Sequence, residues 1–261
     1  MFMLGMPTLI ECGDIESCAA LCQRLGLQFI ELNMNLPQYQ ADTIDAAHFR
    51  AVAQKYGISY TIHLDENLNV CDFNARVAQA WRQTALDTIA LAKALDIPVL
   101  NMHLSRGVHF TLPEQKVFLF VQYKAQYLST LRAFRDDCER AIGEANIRIC
   151  VENCAGYLPF QLEALQTLLE SPVFALTLDT GHNHAAGQAD EPFIFAHAER
   201  LRHLHLHDAL EKRDHLALGT GEVDIARYLT LARKNDLSVV LETKTVAGLE
   251  ASVRYLRKMQ P

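Results

Sequence analysis

Eight short apolar runs recur along the chain, and a longer segment with the spacing of an amphipathic helix follows most of them. The runs cover residues 3–10, 28–33, 58–63, 97–104, 147–153, 173–179, 201–207 and 237–242. The helix-like segments cover 14–25, 75–95, 117–145, 159–169, 192–200 and 224–234, with a last helix near 249–258. Such alternation predicts parallel strands, and eight strand-helix units predict an α/β protein with a closed (β/α)8 barrel.

The length of the chain agrees with one barrel. Its 261 residues match the roughly 250 that a single (β/α)8 unit takes. No Pro-, Gly- or Ser-rich linker divides the sequence, so we expect residues 1–261 to form one domain. Gly26, Gly57 and Asp236 each stand shortly before a strand, where helices are expected to end. The polar stretch 105–115 is expected to be a loop that extends the rim of the barrel mouth.

The charge of the chain limits the class of partner. Lys and Arg number 24 against 31 Asp and Glu, which gives a formal net charge of −7. This balance argues against non-specific binding to nucleic acid or to an anionic membrane. The first residues lack the basic region of a secretion signal, and no run of about 20 apolar residues predicts a membrane span.

Seven cysteines are scattered through mostly apolar segments. An odd number without paired spacing is typical of reduced thiols, which predicts a cytoplasmic protein. Cys150 and Cys154 lack a second pair of cysteines, so packing is favoured over a thiolate zinc site for both.

Charged and imidazole side chains collect at the C-terminal ends of the predicted strands. Side chains in a barrel strand alternate between the interior and the helix layer. In the strand RLRHLHLHD, Leu204 and Leu206 face the helices. The alternation then places in the barrel interior His203, His205 and His207. The same alternation in the other strands predicts six more interior side chains, which are Glu31, His63, His103, Glu152, Asp179 and Glu242. This end of the barrel is where active sites lie in the architecture.

A group of converging carboxylates and imidazoles is costly unless a cation or protons compensate it. Imidazole and carboxylate together suit Zn, Mn, Fe or Co. We interpret Glu152, Asp179, His205 and Glu242 as a metal-binding quartet, because core packing does not explain two Glu and an Asp inside one barrel. A lone inward His is more often a hydrogen-bonded residue, and this interpretation is kept for His203, His109, His184 and His197. His207 lies further out and is expected to contact substrate or Asp208.

The sequence resembles the xylose-isomerase-like TIM barrels, also called the AP endonuclease family 2 fold, over nearly its whole length. The stretch LDTGHNHAAG (178–187) is similar to the strand-six signature of the family. HLHD (205–208) and DHLALGTGEVD (214–224) are similar to its strand-seven segments, and VEN (151–153) and LET (241–243) fit strands five and eight. The family includes endonuclease IV and many sugar and sugar-phosphate isomerases and epimerases.

The resemblance implies a set of ligands and one to three divalent ions per chain, which are Mn, Co, Mg or Zn. It assigns the shared metal quartet to Glu152, Asp179, His205 and Glu242. The residues that match the additional zinc ligands of the endonucleases are His63, His103, His182 and His215. One departure is that Asp214 directly precedes His215, where the endonuclease pattern has one residue between Asp and His. Another is that Glu66 and Asn67 replace the aromatic and aliphatic residues with which DNA-cleaving members wedge into the duplex.

Three functions remain open, and the first is favoured. In a sugar or sugar-phosphate isomerase or epimerase, the metal would stabilise an enediolate and Glu152 and Glu242 would be the catalytic acid-base pair. The residues expected to contact the sugar are His182, His207, His215 and Glu31. In an endonuclease IV-like zinc hydrolase, His63 and His103 would bind a further metal that Glu152 bridges. The third function is a binding protein that keeps the metal sites.

The expected partner follows from the favoured function. It is a small-molecule sugar or sugar phosphate, with DNA less favoured because Asp65 and Glu66 stand where a phosphate backbone would lie. We expect no membrane partner, and a homo-oligomer is left open.

Overall fold

The computed structural model describes residues 2–154 and 156–259. The strands in these ranges are β1 (Met3–Pro7), β2 (Phe29–Asn33), β3 (Ser59–His63), β4 (Val99–His103), β5 (His109–Thr111), β6 (Lys116–Phe118), β7 (Arg148–Glu152), β8 (Phe174–Asp179), β9 (Leu201–Leu206), β10 (Asp208–Leu210), β11 (Arg213–Leu216) and β12 (Ser238–Leu241). The α-helices are α1 (Ile15–Leu25), α2 (Ala46–Tyr56), α3 (Ala75–Ala94), α4 (Leu119–Gln122), α5 (Lys124–Ile142), α6 (Pro159–Leu169), α7 (Thr180–Ala185), α8 (Glu191–Ala196), α9 (Ile225–Asn235) and α10 (Val246–Met259).

Eight parallel strands close into one barrel in the order β1-β12-β9-β8-β7-β4-β3-β2. Pairing of β1 with β2 completes the ring. Each of the eight predicted apolar runs contains one of these strands, which confirms the predicted (β/α)8 barrel. The other four strands form two antiparallel hairpins, β5 with β6 after β4 and β10 with β11 after β9. Both hairpins therefore follow strands at the C-terminal end of the barrel.

Several helix boundaries differ from the predicted ones. The predicted segments did not include α2, which buries Phe49 and Val52, although Gly57 was expected to stand at a helix end. The predicted helix 117–145 is instead β6, α4 and α5, with a break at Tyr123, where φ is −115° and ψ is 42°. The predicted loop 105–115 contains strand β5, and the predicted helix 192–200 ends at Ala196 before a single 3-10 turn.

The helices end where the sequence indicated. Gly26 and Gly57 take left-handed backbone conformations, with φ of 73° and 66°, and their N–H groups bind carbonyls of the preceding turn. Asp236 closes α9 in the same region, with φ of 51°. Each helix is thereby stopped shortly before the next barrel strand.

The barrel has an apolar outer layer and a graded interior. Leu176, Leu178, Leu204 and Leu206 are fully buried in the core between strands and helices, as the alternation predicted. Inside the barrel, small apolar side chains form a separate layer made of Val99, Cys150 and Ala175. One pleat further along, Thr177 Oγ1 donates a 2.6 Å hydrogen bond to Asn101 Oδ1. The interior therefore becomes polar toward the C-terminal strand ends.

All seven cysteines have free thiols, and Cys150 packs in the barrel interior as expected. Among the helices of the described ranges, we find none with the length and apolar character to cross a bilayer.

Candidate metal centre

Four acidic and imidazole side chains meet at the C-terminal end of the barrel. They come from β7, β8 and β9 and from the residue after β12, four strands that are neighbours in the barrel wall. One donor atom from each lies within 4.8 Å of the others, and the four residues are Glu152, Asp179, His205 and Glu242. His205 Nδ1 is 2.9 Å from Glu242 Oε2, 3.3 Å from Glu152 Oε2 and 3.8 Å from Asp179 Oδ2. The fold brings together all four residues of the quartet expected from the sequence.

The quartet and its neighbours have the donor atoms that a divalent cation requires. Buried atoms with no hydrogen-bond partner in the described part of the chain include His205 Nδ1, Glu242 Oε2, His182 Nδ1 and His103 Nε2. An unsatisfied buried polar atom costs about 1–3 kcal/mol, so such atoms are rare in native structures. His205 Nδ1 and Glu242 Oε2 belong to the quartet, while His103 Nε2 and His182 Nδ1 lie 3.3 Å from the two oxygens of Glu152, so nitrogen is combined with carboxylate oxygen. These residues therefore fit a divalent metal ion.

Two further imidazoles face the same glutamate. His63 Nε2 is 3.4 Å and His103 Nε2 is 3.3 Å from Glu152 Oε2. His63 Nδ1–H donates a 2.8 Å hydrogen bond to the carbonyl of Leu64, which leaves Nε2 facing the cluster. Both residues thus lie where an additional ligand would be.

Cys154 lies closer to this group than the sequence suggested. A ligand atom of Cys154 is within 4.8 Å of donor atoms of His103 and Glu152. Burial, followed by the charges of Glu152 and Asp179, raises the pKa of the Cys154 thiol well above its usual value. The expectation that Cys154 only packs did not include this position, because the cysteine spacing gives no signal for a mixed His, Glu and Cys group.

A third group of imidazoles lies on the other side of the quartet. Donor atoms of His182, His207 and His215 are within 4.8 Å of one another, and His182 Nδ1 is 3.3 Å from Glu152 Oε1. Asp214 stands one position away from the Asp of the endonuclease pattern, but its carboxylate still lies beside this group. Its Oδ2 is 3.7 Å from His182 Nε2, and its Oδ1 accepts a 2.9 Å hydrogen bond from His215 Nδ1.

His207 is held by protein atoms on both sides of its ring. Nε2 donates to the Asp179 carboxylate at 2.9 Å, and Nδ1 accepts a 2.7 Å hydrogen bond from the backbone N–H of His215. The residue is fully buried. Contact between His207 and substrate stays a prediction, and in this structure protein atoms cover the whole ring. Its approach to Asp208 is limited to the backbone oxygen, 3.4 Å from Nδ1.

Gly181 allows helix α7 to pass this ring. A Cβ at position 181 would lie 2.1 Å from Cε1 and 2.3 Å from Nδ1 of His207. No side chain other than that of glycine fits there without moving the imidazole. The glycine in the LDTGH stretch is thus explained by close approach rather than by a turn.

Glu31 is directed at imidazoles of β9. Its Oε2 accepts hydrogen bonds from His203 Nε2 at 2.9 Å and from Thr61 Oγ1 at 3.2 Å, and its Oε1 lies 2.9 Å from His205 Nε2. The residue is 2% exposed. The expectation that Glu31 contacts substrate did not foresee that both oxygens face protein groups, because the sequence does not show which residue is the hydrogen-bond partner of His203.

The electrostatics of the cluster favour charged forms. Burial opposes protonation of His63, but contact with Glu152 raises its pKa to about 9. Burial likewise opposes protonation of His182, and Asp179 with Glu152 raises its pKa to about 10. Burial opposes ionisation of Glu152 and Glu242, and the neighbouring imidazoles, His205 first, hold both pKa values well below the usual range. Both glutamates are therefore carboxylates at neutral pH.

Asp208 anchors the loop that carries His215 instead of binding at the centre. Its carboxylate accepts hydrogen bonds of 2.8–3.0 Å from the backbone N–H groups of Ala209, Gly219, Gly221 and Val223. A Cβ at Gly221 would lie 2.2 Å from the carbonyl oxygen of Ala209. The backbone of the LGTG stretch therefore surrounds the Asp208 carboxylate, and backbone N–H groups occupy both of its oxygens.

Two cavities open beside the centre. One, of about 520 Å³, lies between the ends of β1, β2 and β12 and is bordered by Asn33, Asn35, Glu242 and Lys244. The other, of about 380 Å³, lies beside His103 and Glu152. Glu66 borders both. The centre is thus accessible from two sides, and an acidic residue stands between the two openings.

Comparison with known proteins gives one family match and many similar folds. The family model described as xylose isomerase-like TIM barrel matches residues 19–259. An uncharacterized protein of Methanocaldococcus jannaschii is 24% identical over 216 residues, which are 78% of this chain and 74% of that protein.

Among solved structures, a D-tagatose 3-epimerase-like protein superposes with a TM-score of 0.80 at 20% identity, covering 98% of this chain and 96% of the other. A D-allulose 3-epimerase from Methylomonas sp. gives 0.73 at 18% identity over 100% and 97%. The 3-keto-D-glucoside 4-epimerase of E. coli gives 0.78 at 12% identity over 99% and 100%. At these identities the likeness establishes the fold.

Proposed function

The chain belongs to the xylose isomerase-like TIM-barrel family, and from this premise we propose that it is a divalent-metal-dependent isomerase or epimerase of a sugar or sugar phosphate. The quartet at the C-terminal strand ends carries the proposal. Glu152 and Glu242 stand at the two ends of its four neighbouring strands, with Asp179 and His205 between them. Fold relatives that are sugar epimerases support it.

The quartet residues would hold the ion. Bound there, the metal supplies Lewis acidity, which draws electron density from a carbonyl and a neighbouring hydroxyl oxygen and lowers the energy of an enediolate. Glu152 and Glu242 are ionised, so either can accept the proton that leaves carbon. When the opposite glutamate has taken a proton from water, its delivery of that proton to the other face of the same carbon gives an epimer, and the first glutamate releases the abstracted proton to water. Return of a proton to the neighbouring carbon gives the isomer.

The larger cavity suits a polyhydroxylated small molecule. Its volume of about 520 Å³ falls in the range of ordinary ligand pockets, about 300–1,000 Å³. Asn33, Asn35, Thr243 and Lys244 supply hydrogen-bonding groups at its border. Lys244 Nζ is 2.8 Å from Glu242 Oε1, so the cavity leads directly to one of the proposed acid-base groups.

A zinc-dependent phosphodiester hydrolase, similar to endonuclease IV, is the second candidate. The observation that favours it is the approach of His63 and His103 to Glu152 at 3.4 and 3.3 Å, since a bridging carboxylate is a feature of two-metal hydrolases. Against it stand the net charge of −7 and Glu66 between the two cavities. DNA binding gains its affinity from phosphate contacts, which acidic side chains oppose.

We place the protein in the cytoplasm in this proposal, because its seven free cysteines suit a reducing compartment. Its partner is then a soluble sugar rather than DNA or a membrane. Assembly into a homo-oligomer stays open to measurement.

Metal analysis combined with proton exchange separates the candidates. About one Mn or Co per chain, together with exchange of a carbon-bound proton for solvent deuterium in a ketose or ketose phosphate, supports the epimerase or isomerase. Two or three Zn per chain with incision of abasic DNA supports the hydrolase. Bound metal with neither reaction supports a binding protein. The E242Q variant should lose exchange, whereas E191Q, which alters a buried carboxylate bonded to Arg227 and Tyr228, should keep it.

A further inference from the structure

Glu31 is a buried carboxylate of the barrel interior that the proposed reaction does not use. It lies on β2 and is 2% exposed. Two strands, β1 and β12, separate β2 from β9 in the barrel wall. The contacts of Glu31 with His203 and His205 therefore cross the interior instead of following the sheet.

The contacts form a chain that ends at a quartet residue. Ser238 Oγ donates a 2.6 Å hydrogen bond to His203 Nδ1, and His203 Nε2 donates to Glu31 Oε2 at 2.9 Å. Thr61 Oγ1 donates to the same oxygen at 3.2 Å. The other oxygen, Oε1, lies 2.9 Å from His205 Nε2. Every side chain in this series of contacts is buried except that of Ser238, which is partly buried.

Packing alone does not account for a carboxylate at this position. Taking an ionised group out of water costs several kcal/mol, and apolar residues of similar volume often stabilise a core as well or better. The arrangement has a direct consequence for His205, however. Its Nε2 lies 2.9 Å from Glu31 Oε1, and its other nitrogen, Nδ1, lies 2.9 Å from Glu242 and 3.3 Å from Glu152.

We propose that Glu31, held in place by His203 and Thr61, is a positioning residue that fixes the ring orientation and tautomer of His205 for metal binding. A carboxylate beside Nε2 keeps the proton on that nitrogen, which leaves the Nδ1 lone pair for the ion. The inference rests on the proposed function, because it requires that His205 binds a metal.

Two substitutions test separately the charge of the Glu31 side chain and its length. E31Q keeps the length of the side chain and removes the charge. An amide N–H directed at His205 Nε2 would favour the tautomer with the proton on Nδ1, which cannot bind a metal. E31D keeps the charge but withdraws the carboxylate by one methylene from the 2.9 Å contact. The matched control is E191Q, since Glu191 is also buried and its side-chain contacts are with Asn183, Arg227 and Tyr228.

The measurement is the affinity of the full-length protein for Zn²⁺, by competition with a chromophoric chelator, and the visible absorption of its Co²⁺ complex. We expect E31Q and E31D to bind zinc about 10–100-fold more weakly than the unsubstituted protein, with a shifted Co²⁺ band and unchanged stoichiometry. E191Q should match the unsubstituted protein in both. Thermal unfolding without metal gives the stability cost of each variant separately.

The outcomes distinguish this inference from the proposed function. If the unsubstituted protein binds no divalent metal, the proposed function and the role of Glu31 both fail. If it binds metal and E31D and E31Q both stay within twofold of its affinity with the same Co²⁺ spectrum, only the role of Glu31 is overturned. Should E31Q not fold, E31D with E191Q decides the question in the same way.

Discussion

His207 Nε2 donates a 2.9 Å hydrogen bond to Asp179 Oδ2. The Asp179 Oδ1 atom also accepts from the backbone N–H of His182, at the start of helix α7. Asp179 is thus restrained by two neighbours in the position from which it faces His205. Position 181 in α7 sets how closely that helix can approach His207.

The first prediction concerns this approach. G181A should destabilise the protein by about 1–3 kcal/mol, the usual effect of overpacking, and should weaken metal binding because the added methyl displaces His207 from Asp179. Denaturant unfolding and zinc competition measure the two effects. G248A is the control, since its nearest contact is at 3.1 Å, to a Thr245 side chain, and it should unfold at nearly the same denaturant concentration. A G181A protein with normal stability and affinity would show that His207 can move freely.

The second prediction concerns the acid-base pair. E152Q and E242Q should each abolish measurable proton exchange in the sugar assay, because each residue is both a quartet member and a proposed proton carrier. Metal content must be measured alongside. Retention of a near-normal rate with normal metal content in either variant would remove that glutamate from the mechanism.

The third prediction concerns how many ions are bound. If His63 and His103 bind a metal in addition to the quartet, the double variant H63A/H103A should lose about one ion per chain and keep the quartet occupied. Elemental analysis of the purified variant measures this. Unchanged stoichiometry would assign both residues to substrate binding or to hydrogen bonds with Glu152.

The fourth prediction concerns pH. His63 and His182 have folded-state pKa values raised to about 9 and about 10 from 6.5. A raised pKa stabilises the folded protein fully below the unfolded value and loses that effect as pH rises through the folded value. In the presence of a chelator, Tm should therefore fall between pH 6.5 and pH 10.

Metal affinity should rise over the same pH interval, because protons compete with the ion for these nitrogens. Zinc competition at several pH values tests this, with proton release on binding as a second readout. A Tm that stays level across the interval would mean that these imidazoles are not protonated in the metal-free protein.

The fifth prediction concerns substrate. Asp65 and Glu66 follow β3, and Glu66 borders both cavities. Their charges should oppose a polyanion, which depends on many phosphate contacts, and affect a neutral sugar little. We expect little or no incision of duplex DNA with an abasic site at moderate salt. Efficient incision, with no deuterium uptake across a broad panel of sugars, would favour the zinc hydrolase.

The barrel was predictable from sequence because its strands are short apolar runs with a regular alternation. The quartet followed from the same alternation, since a period of two decides which side chains point inward. Helix α2 was not among the predicted segments, although Phe49, Val52 and Tyr56 repeat with helical spacing before Gly57. The break at Tyr123 has no glycine or proline to mark it.

The roles of neighbouring residues were harder to predict than the quartet itself. His203 has the same inward parity as His205, and only the position of Glu31 across the barrel shows that the two histidines share one carboxylate. Asp214 departs from the family spacing, yet the hairpin strand β11, in which His215 has a φ of 53°, brings the carboxylate of Asp214 to His182. Such relationships join residues far apart in the sequence, and local patterns do not contain them.

The order of strands in the ring places the quartet and the larger cavity on different arcs of the barrel mouth. All four quartet residues come from the arc β7-β8-β9-β12, whereas the larger cavity is bordered mainly by loops that follow β1 and β2. The loops of that second arc can therefore change length and composition while the ion-binding arc stays intact. For engineering of the proposed sugar reaction, residues 8–10 and 33–36 are therefore the natural place to alter substrate preference while the quartet stays unchanged.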